Sequence, residues 1–303
     1  MPLAPVALFA FNRPDHLAAT LATLAANPLA SESDLVIFCD GARSGDDDVR
    51  VALVRKIAHG AAGFRSLEVV ERERNLGLAE SIAAGVGQLC ADRGRVIVVE
   101  DDLELAPDFL AFMNRGLDRY EDEESVMQIS GFQFALPELA ATRCVFLPII
   151  SCWGWAVWAR AWKFYDASAA GWSQLKENRA DRLRFDLGGA YDYCGLLGKQ
   201  MTGKVDSWGV RWYLSVFLRD GLVLYPPRSL VLNTGFDGSG THASGAGAAA
   251  GSLGGALRND MAQSRVTWPD VLAVSPDALR GVQSLLRRAK PSVGARVMRR
   301  LGV

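Results

Sequence analysis

The sequence predicts an α/β protein built on a doubly wound, mostly parallel sheet flanked by helices, and three observations carry that reading. Strand-like and helix-like patterns alternate regularly through the first 130 residues, the rhythm of parallel βαβ units. The run Val96-Ile97-Val98-Val99 is β-branched and apolar without alternation, as expected of a strand covered on both faces. That run ends in three carboxylates, Glu100-Asp101-Asp102, at the sheet edge where open α/β folds place their ligands.

In chain order, strands are expected at Val6–Phe11, Leu35–Cys39, Leu67–Val70 and Val96–Val99. Helices are expected between them at 14–26, 48–60 and 78–92, with another at 107–120, where Pro107 suits a first turn. A fifth strand, Val126–Ile129, follows. Seven of the eight tryptophans, Trp153 among them, precede residue 220 and all eight follow residue 150, so the composition changes after residue 131. Trp208–Arg219 reads as an amphipathic helix, and Leu222–Tyr225 as a strand stopped by Pro226-Pro227. Residues 234–256 are rich in Gly, Ala, Ser and Thr without apolar period and read as a mobile loop. Residues 280–303 hold seven Arg/Lys and no acid. The expected organisation is one domain over 1–245, with a nucleotide half (1–130) and an acceptor half (131–245), then a flexible loop and basic tail over 246–303.

Composition narrows the function. Half of the 303 residues are hydrophobic, 22% are charged, and the net charge is -1, which speaks against nucleic-acid binding. No apolar run reaches the length of a membrane span, and no basic segment precedes the first apolar run as in a secretory signal. Five cysteines in no metal-binding spacing read as reduced thiols. The expectation is a soluble cytoplasmic protein. In the tail, Arg280, Arg287, Arg288, Lys290, Arg296, Arg299 and Arg300 interleave with apolar residues. That pattern suits either an anionic membrane surface or packing on the protein itself.

Adjacent carboxylates at a buried strand end repel one another and resist desolvation. A divalent cation removes that repulsion, and oxygen-rich sites suit Mg2+ or Mn2+. An acidic turn capping the next helix is the plainer reading. Arg13, just past the first strand, can pair with a phosphate or a carboxylate. Asp40-Gly41 places an acid on the same rim, as a nucleotide contact or as a simple turn. Arg74-Asn75-Leu76-Gly77 suggests a tight turn into a helix whose N-terminus points at the crevice. Asp206, ahead of the Trp208 helix, is either a helix cap or a proton acceptor, and both roles can coexist. Trp153, Trp155 and Trp158 do not share one helical face, and flat aromatic faces suit stacking on sugars.

A family resemblance rests on Phe9-Ala10-Phe11-Asn12-Arg13-Pro14, Asn75-Leu76-Gly77 and the stretch Val98 to Phe109 with its acids followed by Ala106-Pro107-Asp108. It extends through Ser151-Cys152-Trp153-Gly154-Trp155-Ala156, Asp206-Ser207-Trp208 and Asn233-Thr234-Gly235-Phe236 to His242. Over residues 5–245 the chain resembles GT-A glycosyltransferases of the bacterial family 2 type and, more distantly, animal N-acetylglucosaminyltransferase I. The resemblance implies a metal-dependent, inverting sugar transfer with Mn2+ or Mg2+ as cofactor. The donor would be a nucleoside-diphosphate sugar, a UDP-sugar first among them. The acceptor would be a glycan or lipid-linked saccharide in cell-surface polysaccharide synthesis, at the inner face of a membrane.

By the same resemblance, Arg13 and Asp40 hold the base and ribose, with Asn75 also on the donor. Asp102 ligates the metal, Asp101 and Glu100 contact the ribose or donor sugar, and His242 reaches the diphosphate or metal. Asp206 resembles the catalytic base, and Trp153, Trp155 and Trp208 the acceptor wall. The animal enzyme has a second acid where this chain has Ser207, which opens the base assignment by one position. A sugar nucleotidyltransferase would show a Gly-rich loop after the first strand, where Asn12-Arg13-Pro14 stands instead. A non-catalytic glycan-binding protein of the same fold would be favoured by loss of Asp102 or Asp206, and both are present.

Overall fold

The computed structural model describes residues 2–136, 142–235 and 266–289. His242 and the Gly/Ala-rich stretch lie outside the described residues, as does the tail beyond Ala289. The first half follows the expected alternation: β1 (Val6–Ala10), α1 (Pro14–Ala25), β2 (Asp34–Cys39), α2 (Asp48–His59), β3 (Ser66–Glu71), α3 (Leu78–Arg93) and β4 (Arg95–Glu100). Each strand-to-strand crossover carries a helix, so β3, β2, β1 and β4 pair in parallel in that order. β1 is wholly apolar, β4 is apolar between Arg95 and Glu100, and both are buried along nearly their full length.

The chain then makes β5 (Leu103–Leu105), α4 (Phe109–Arg119), β6 (Val126–Ser130), β7 (Val145–Leu147) and β8 (Trp155–Trp158). Short helices α5 (Ala159–Trp162), α6 (Trp172–Glu177), α7 (Arg179–Phe185) and α8 (Tyr193–Met201) lead to α9 (Trp208–Phe217), β9 (Leu222–Tyr225) and β10 (Val231–Asn233). One sheet of eight strands, ordered β3-β2-β1-β4-β8-β6-β9-β7, runs through both halves. Beyond β4 it is mixed rather than parallel, because β8 runs antiparallel to both β4 and β6.

The β8 insertion changes what the tryptophans do. Trp155 pairs in register with Val98 and Ser130 and is 0% exposed. Its ring stacks on Trp208 at 5.0 Å and lies 5.6 Å from Trp162. Trp155 and Trp208 are therefore core residues with no free face for a sugar ring. A strand covered on both faces, rather than a helical face, buries Trp155, and a four-residue strand is too short to announce it in sequence. Trp153 is half-buried, edge-on to Phe132 at 4.9 Å.

Part of the segment expected after residue 245 also packs against the sheet. Residues 266–289 pack on the body: Thr267 exchanges backbone hydrogen bonds with Thr142 and Cys144, and Trp268 stacks on Phe112 at 5.1 Å. The final helix, α10 (Pro276–Ala289), buries Ala278, Val282 and Leu286. In its described part, the apolar stripe of the basic tail thus faces protein. Among the described residues no helix is long and apolar enough to cross a membrane.

Trp155→Ala should cost about 3–5 kcal/mol, the range for emptying a buried aromatic site. Denaturant unfolding followed by circular dichroism checks this. A loss under about 1 kcal/mol would show that the β8 core collapses around the gap.

Candidate active site

Strand order creates the site. β1 lies between β2 and β4, so the crossovers diverge there and leave a crevice beyond the C-terminal ends of β1 and β4. The segment after β1 meets the acids after β4 across that crevice. The Phe11 backbone N–H donates to Asp101 Oδ2 at 3.3 Å. Arg13 Nη2 donates to Asp101 Oδ1 at 2.5 Å and to Asp102 Oδ2 at 2.9 Å. Of the two partners open to Arg13, the structure shows carboxylates.

The acids are not a solvated capping turn. Asp101 is 4% exposed and Asp102 9%. Asp108, which precedes α4, makes no side-chain cap. Burial pushes Asp101 up to about 6, with Arg13 pulling the other way and Asp102 adding repulsion. Glu100 is driven well above the usual carboxylate range by burial and then by Asp102 and Asp101. Burial opposes the charge on Arg13, but the two aspartates outweigh it and raise its pKa. One guanidinium therefore holds together an acidic cluster that it does not fully neutralise.

Asp102 is held from behind. Its carbonyl accepts from the Thr234 N–H at 2.8 Å and the Thr234 hydroxyl at 3.0 Å. The antiparallel pair β5–β10, with Leu103 opposite Asn233, delivers Thr234 and Gly235 there. A Cβ at Gly235 would lie 2.2 Å from Asp102 Oδ2, so only glycine fits with the aspartate in place. Asp102 Oδ1 is buried and has no hydrogen-bond partner among the described residues. An orphaned carboxylate oxygen in an acidic cluster fits a divalent cation. Mg2+ in particular is commonly held by one or two carboxylates together with substrate phosphates. No group of three or more His, Cys, Asp or Glu side chains that could form an all-protein metal cage occurs among the described residues.

Asp40 serves the chain itself. Its Oδ1 accepts from the Gly41 and Leu76 N–H groups at 2.9 and 2.8 Å. Its Oδ2 accepts from Asn75 Nδ2 and the Gly77 N–H, both at 3.0 Å. This carboxylate pins the turn into α3, where Gly77 takes a φ of 76° that favours glycine. Asp40 is 5% exposed, so the simple-turn reading accounts for its bonds, although it still reaches the cavity wall.

A cavity of about 470 Å3 opens at this edge, within the range of small-molecule sites. Arg13, Asn75, Glu100 and Asp101 from the first half of the chain line it together with Lys204 and Asp206 from the second. Asp102 is not on the wall, because Gly235 lies against it. Asp206 does not cap α9. The cap is Ser207, whose Oγ accepts from the Val210 N–H at 3.3 Å. Asp206 is thereby left to face the cavity, its side chain 63% exposed and joined to Arg211 at 2.6 Å. Lys204 and Arg43, also on the wall, were not singled out from sequence. Arg43 is held by Asp47 at 2.8 Å and lies over the Phe11 ring at 4.9 Å.

No family model matches the chain. An alpha-1,3-mannosyl-glycoprotein 2-beta-N-acetylglucosaminyltransferase of Arabidopsis thaliana is 27% identical over 201 residues, covering 60% of this chain and 44% of that protein. The chain thus spans less than half the length of that curated relative. A Pyrobaculum calidifontis mannosyltransferase, PcManGT, solved with GDP-Man and Mn2+, aligns at 12% identity, covering 72% of this chain and 74% of its own, with a TM-score of 0.37. Staphylococcus aureus TarS 1-349 aligns at 12% identity over 77% of this chain and 61% of its own, with a TM-score of 0.40. The curated similarity falls in the glycosyltransferase class that the sequence motifs resemble.

The raised Asp101 sets a pH dependence. Its folded value of about 6 lies above the ordinary 3.8, so its contribution to stability is present below pH 3.8 and lost as pH rises through about 6. A cation competing with that proton binds best above that window. Thermal unfolding should show a small gain from MnCl2 plus UDP at pH 5, growing toward pH 7 and absent in Asp102→Asn. An equal gain at both pH values, or one that survives the substitution, would contradict the assignment.

Proposed function

We propose that the chain is a metal-dependent, inverting glycosyltransferase that moves a sugar from a nucleoside-diphosphate donor to a saccharide hydroxyl. The observation that carries this reading is that two separate acid sites face one cavity: the buried cluster after β4, and the exposed Asp206 before α9. Direct displacement needs both, because a carboxylate that ligates the cation is a poor base for a second task.

In this reading the diphosphate lies against the β4 acids, with Asp102, just behind the wall, as the group that would hold a Mn2+ or Mg2+, and Asp101 and Glu100 on the ribose or donor sugar. Such an ion supplies neutralisation of the charge that builds on the departing diphosphate. Lys204, a cation that also lines the cavity, adds positive charge toward the same end. Asn75, Arg13 and Glu100 line the donor's share of the cavity. Asp206 accepts the acceptor hydroxyl's proton as that oxygen bonds to the anomeric carbon and the bond to the diphosphate breaks. His242 as a further contact to the diphosphate belongs to the proposal. Of the aromatic residues expected at the acceptor, Trp153 remains the one with exposed surface.

Two measurements test this. Nucleotide release should be detected from at least one of UDP-glucose, UDP-N-acetylglucosamine and GDP-mannose with Mn2+, and be lost with chelator. Asp206→Asn should lower turnover by roughly 10²–10⁴-fold with donor affinity nearly unchanged, whereas a loss below about tenfold would remove Asp206 as the base. A lipid-linked acceptor would place the enzyme at an anionic membrane face. Because α10 spends its apolar stripe on the protein, any such attraction falls to exposed arginines and to the chain beyond it. The intact chain should then co-sediment with anionic vesicles in a salt-sensitive way. Equal sedimentation after removal of residues 290–303 would deny that segment a membrane role.

A further inference from the structure

We propose that Arg211 is a positioning residue that fixes the direction of Asp206, an inference that rests on the assignment of Asp206 as the base. Asp206 sits in the loop ahead of α9 with its side chain 63% exposed. An isolated carboxylate there would sample several rotamers, and only some present an oxygen to the cavity. Arg211 removes that freedom. Its Nη2 donates to Asp206 Oδ1 at 2.6 Å, while Asp206 Oδ2 has no protein partner among the described residues. One oxygen is tied and the other is left for a proton.

The arginine is itself anchored. Its side chain is 12% exposed. Nε donates to the Ser207 carbonyl at 3.2 Å and Nη1 to the Ala167 carbonyl at 3.4 Å. Because a guanidinium is planar and its donors form a rigid fork, three contacts on three nitrogens set its orientation. The helix beneath it is equally fixed. Trp208 and Trp212 of α9 are buried, and Trp212 Nε1 donates to Gln128 Oε1 at 2.9 Å in the sheet. A chain of fixed groups therefore runs from the sheet through α9 and Arg211 to Asp206. Arg211 does not line the cavity, so it acts on the reaction through the aspartate. Since the pair's acidic partner is mostly exposed, the bond contributes little to folding, and stability alone is a weak account of it.

The test compares Arg211→Met and Arg211→Lys in the wild-type and Asp206→Asn backgrounds. It uses nucleotide release from whichever of UDP-glucose, UDP-N-acetylglucosamine and GDP-mannose the wild type consumes with Mn2+. Arg211→Met should lower kcat by about 10- to 100-fold, as expected of a misplaced catalytic group. The donor KM should stay within about twofold and the thermal midpoint near that of the wild type. Arg211→Lys should fall between, and neither change should lower the residual rate of Asp206→Asn further.

A wild-type rate in Arg211→Met, a rise in KM at constant kcat, or an undiminished loss on top of Asp206→Asn would each overturn the proposal. Should Arg211→Met fail to fold, Arg211→Lys in the two backgrounds decides by the same criteria. If Asp206→Asn keeps full activity, the base assignment falls and this role with it. If Asp206→Asn is inactive while Arg211→Met is fully active, only this role falls. A wild type inert on all three donors removes both.

Discussion

Three carboxylates stand at the end of a buried strand, and one guanidinium holds two of them. The rest of the site depends on that arrangement. Arg13 bonds Asp101 and Asp102 with the same nitrogen, yet burial still drives Asp101 up to about 6, and among the described residues Asp102 Oδ1 has no partner. A protein optimised only for folding would replace such a cluster with apolar side chains of similar volume. The acids stay electrostatically unsatisfied, which is the condition under which a cation and a diphosphate bind with most to gain.

The fold is arranged around that edge. Parallel pairing of β1 with β4 brings Arg13 to the acids, and the β5–β10 ribbon brings Thr234 and Gly235 against Asp102. From the other side, an aromatic core built on Trp155, Trp162, Trp208 and Trp212 seats α9, and Asp206 enters the cavity just before that helix begins. The two acid sites thus come from different halves of the chain. Their separation keeps the group suited to holding the donor distinct from the group suited to accepting a proton.

Much of this was legible in the sequence, for physical reasons. Helical period and β-branched runs locate β1 to β4 and the helices between them to within a residue or two, because β1, β2 and β4 are covered on both faces, whereas the three-residue β5 carries too short a pattern to be read. The acids after β4 were conspicuous because a buried strand rarely ends in three like charges. What the sequence concealed depends on partners distant along the chain. Nothing local distinguishes Arg13 as the counter-charge of residues about ninety positions away, or Trp155 as the centre of an inserted antiparallel strand. Asp40 looked like a rim acid, but its four bonds to the turn at Gly41 and 75–77 exist only after β2 and β3 pair. Arg211 lies five residues after Asp206 and becomes meaningful only once Ser207, rather than Asp206, is seen to cap α9.

The central claim is that the buried acids hold a nucleoside diphosphate through a divalent cation. Electron paramagnetic resonance of Mn2+ titrated into the protein tests it most directly, since free and bound ion give distinguishable signals. With UDP or GDP present, the bound-ion spectrum should change stoichiometrically with protein relative to the protein-free Mn2+–nucleotide complex and keep its phosphorus coupling, while Asp102→Asn returns the protein-free spectrum. Mn2+ bound with equal strength in the Asp102→Asn variant, or a nucleoside diphosphate bound equally well with and without the ion, would contradict the account.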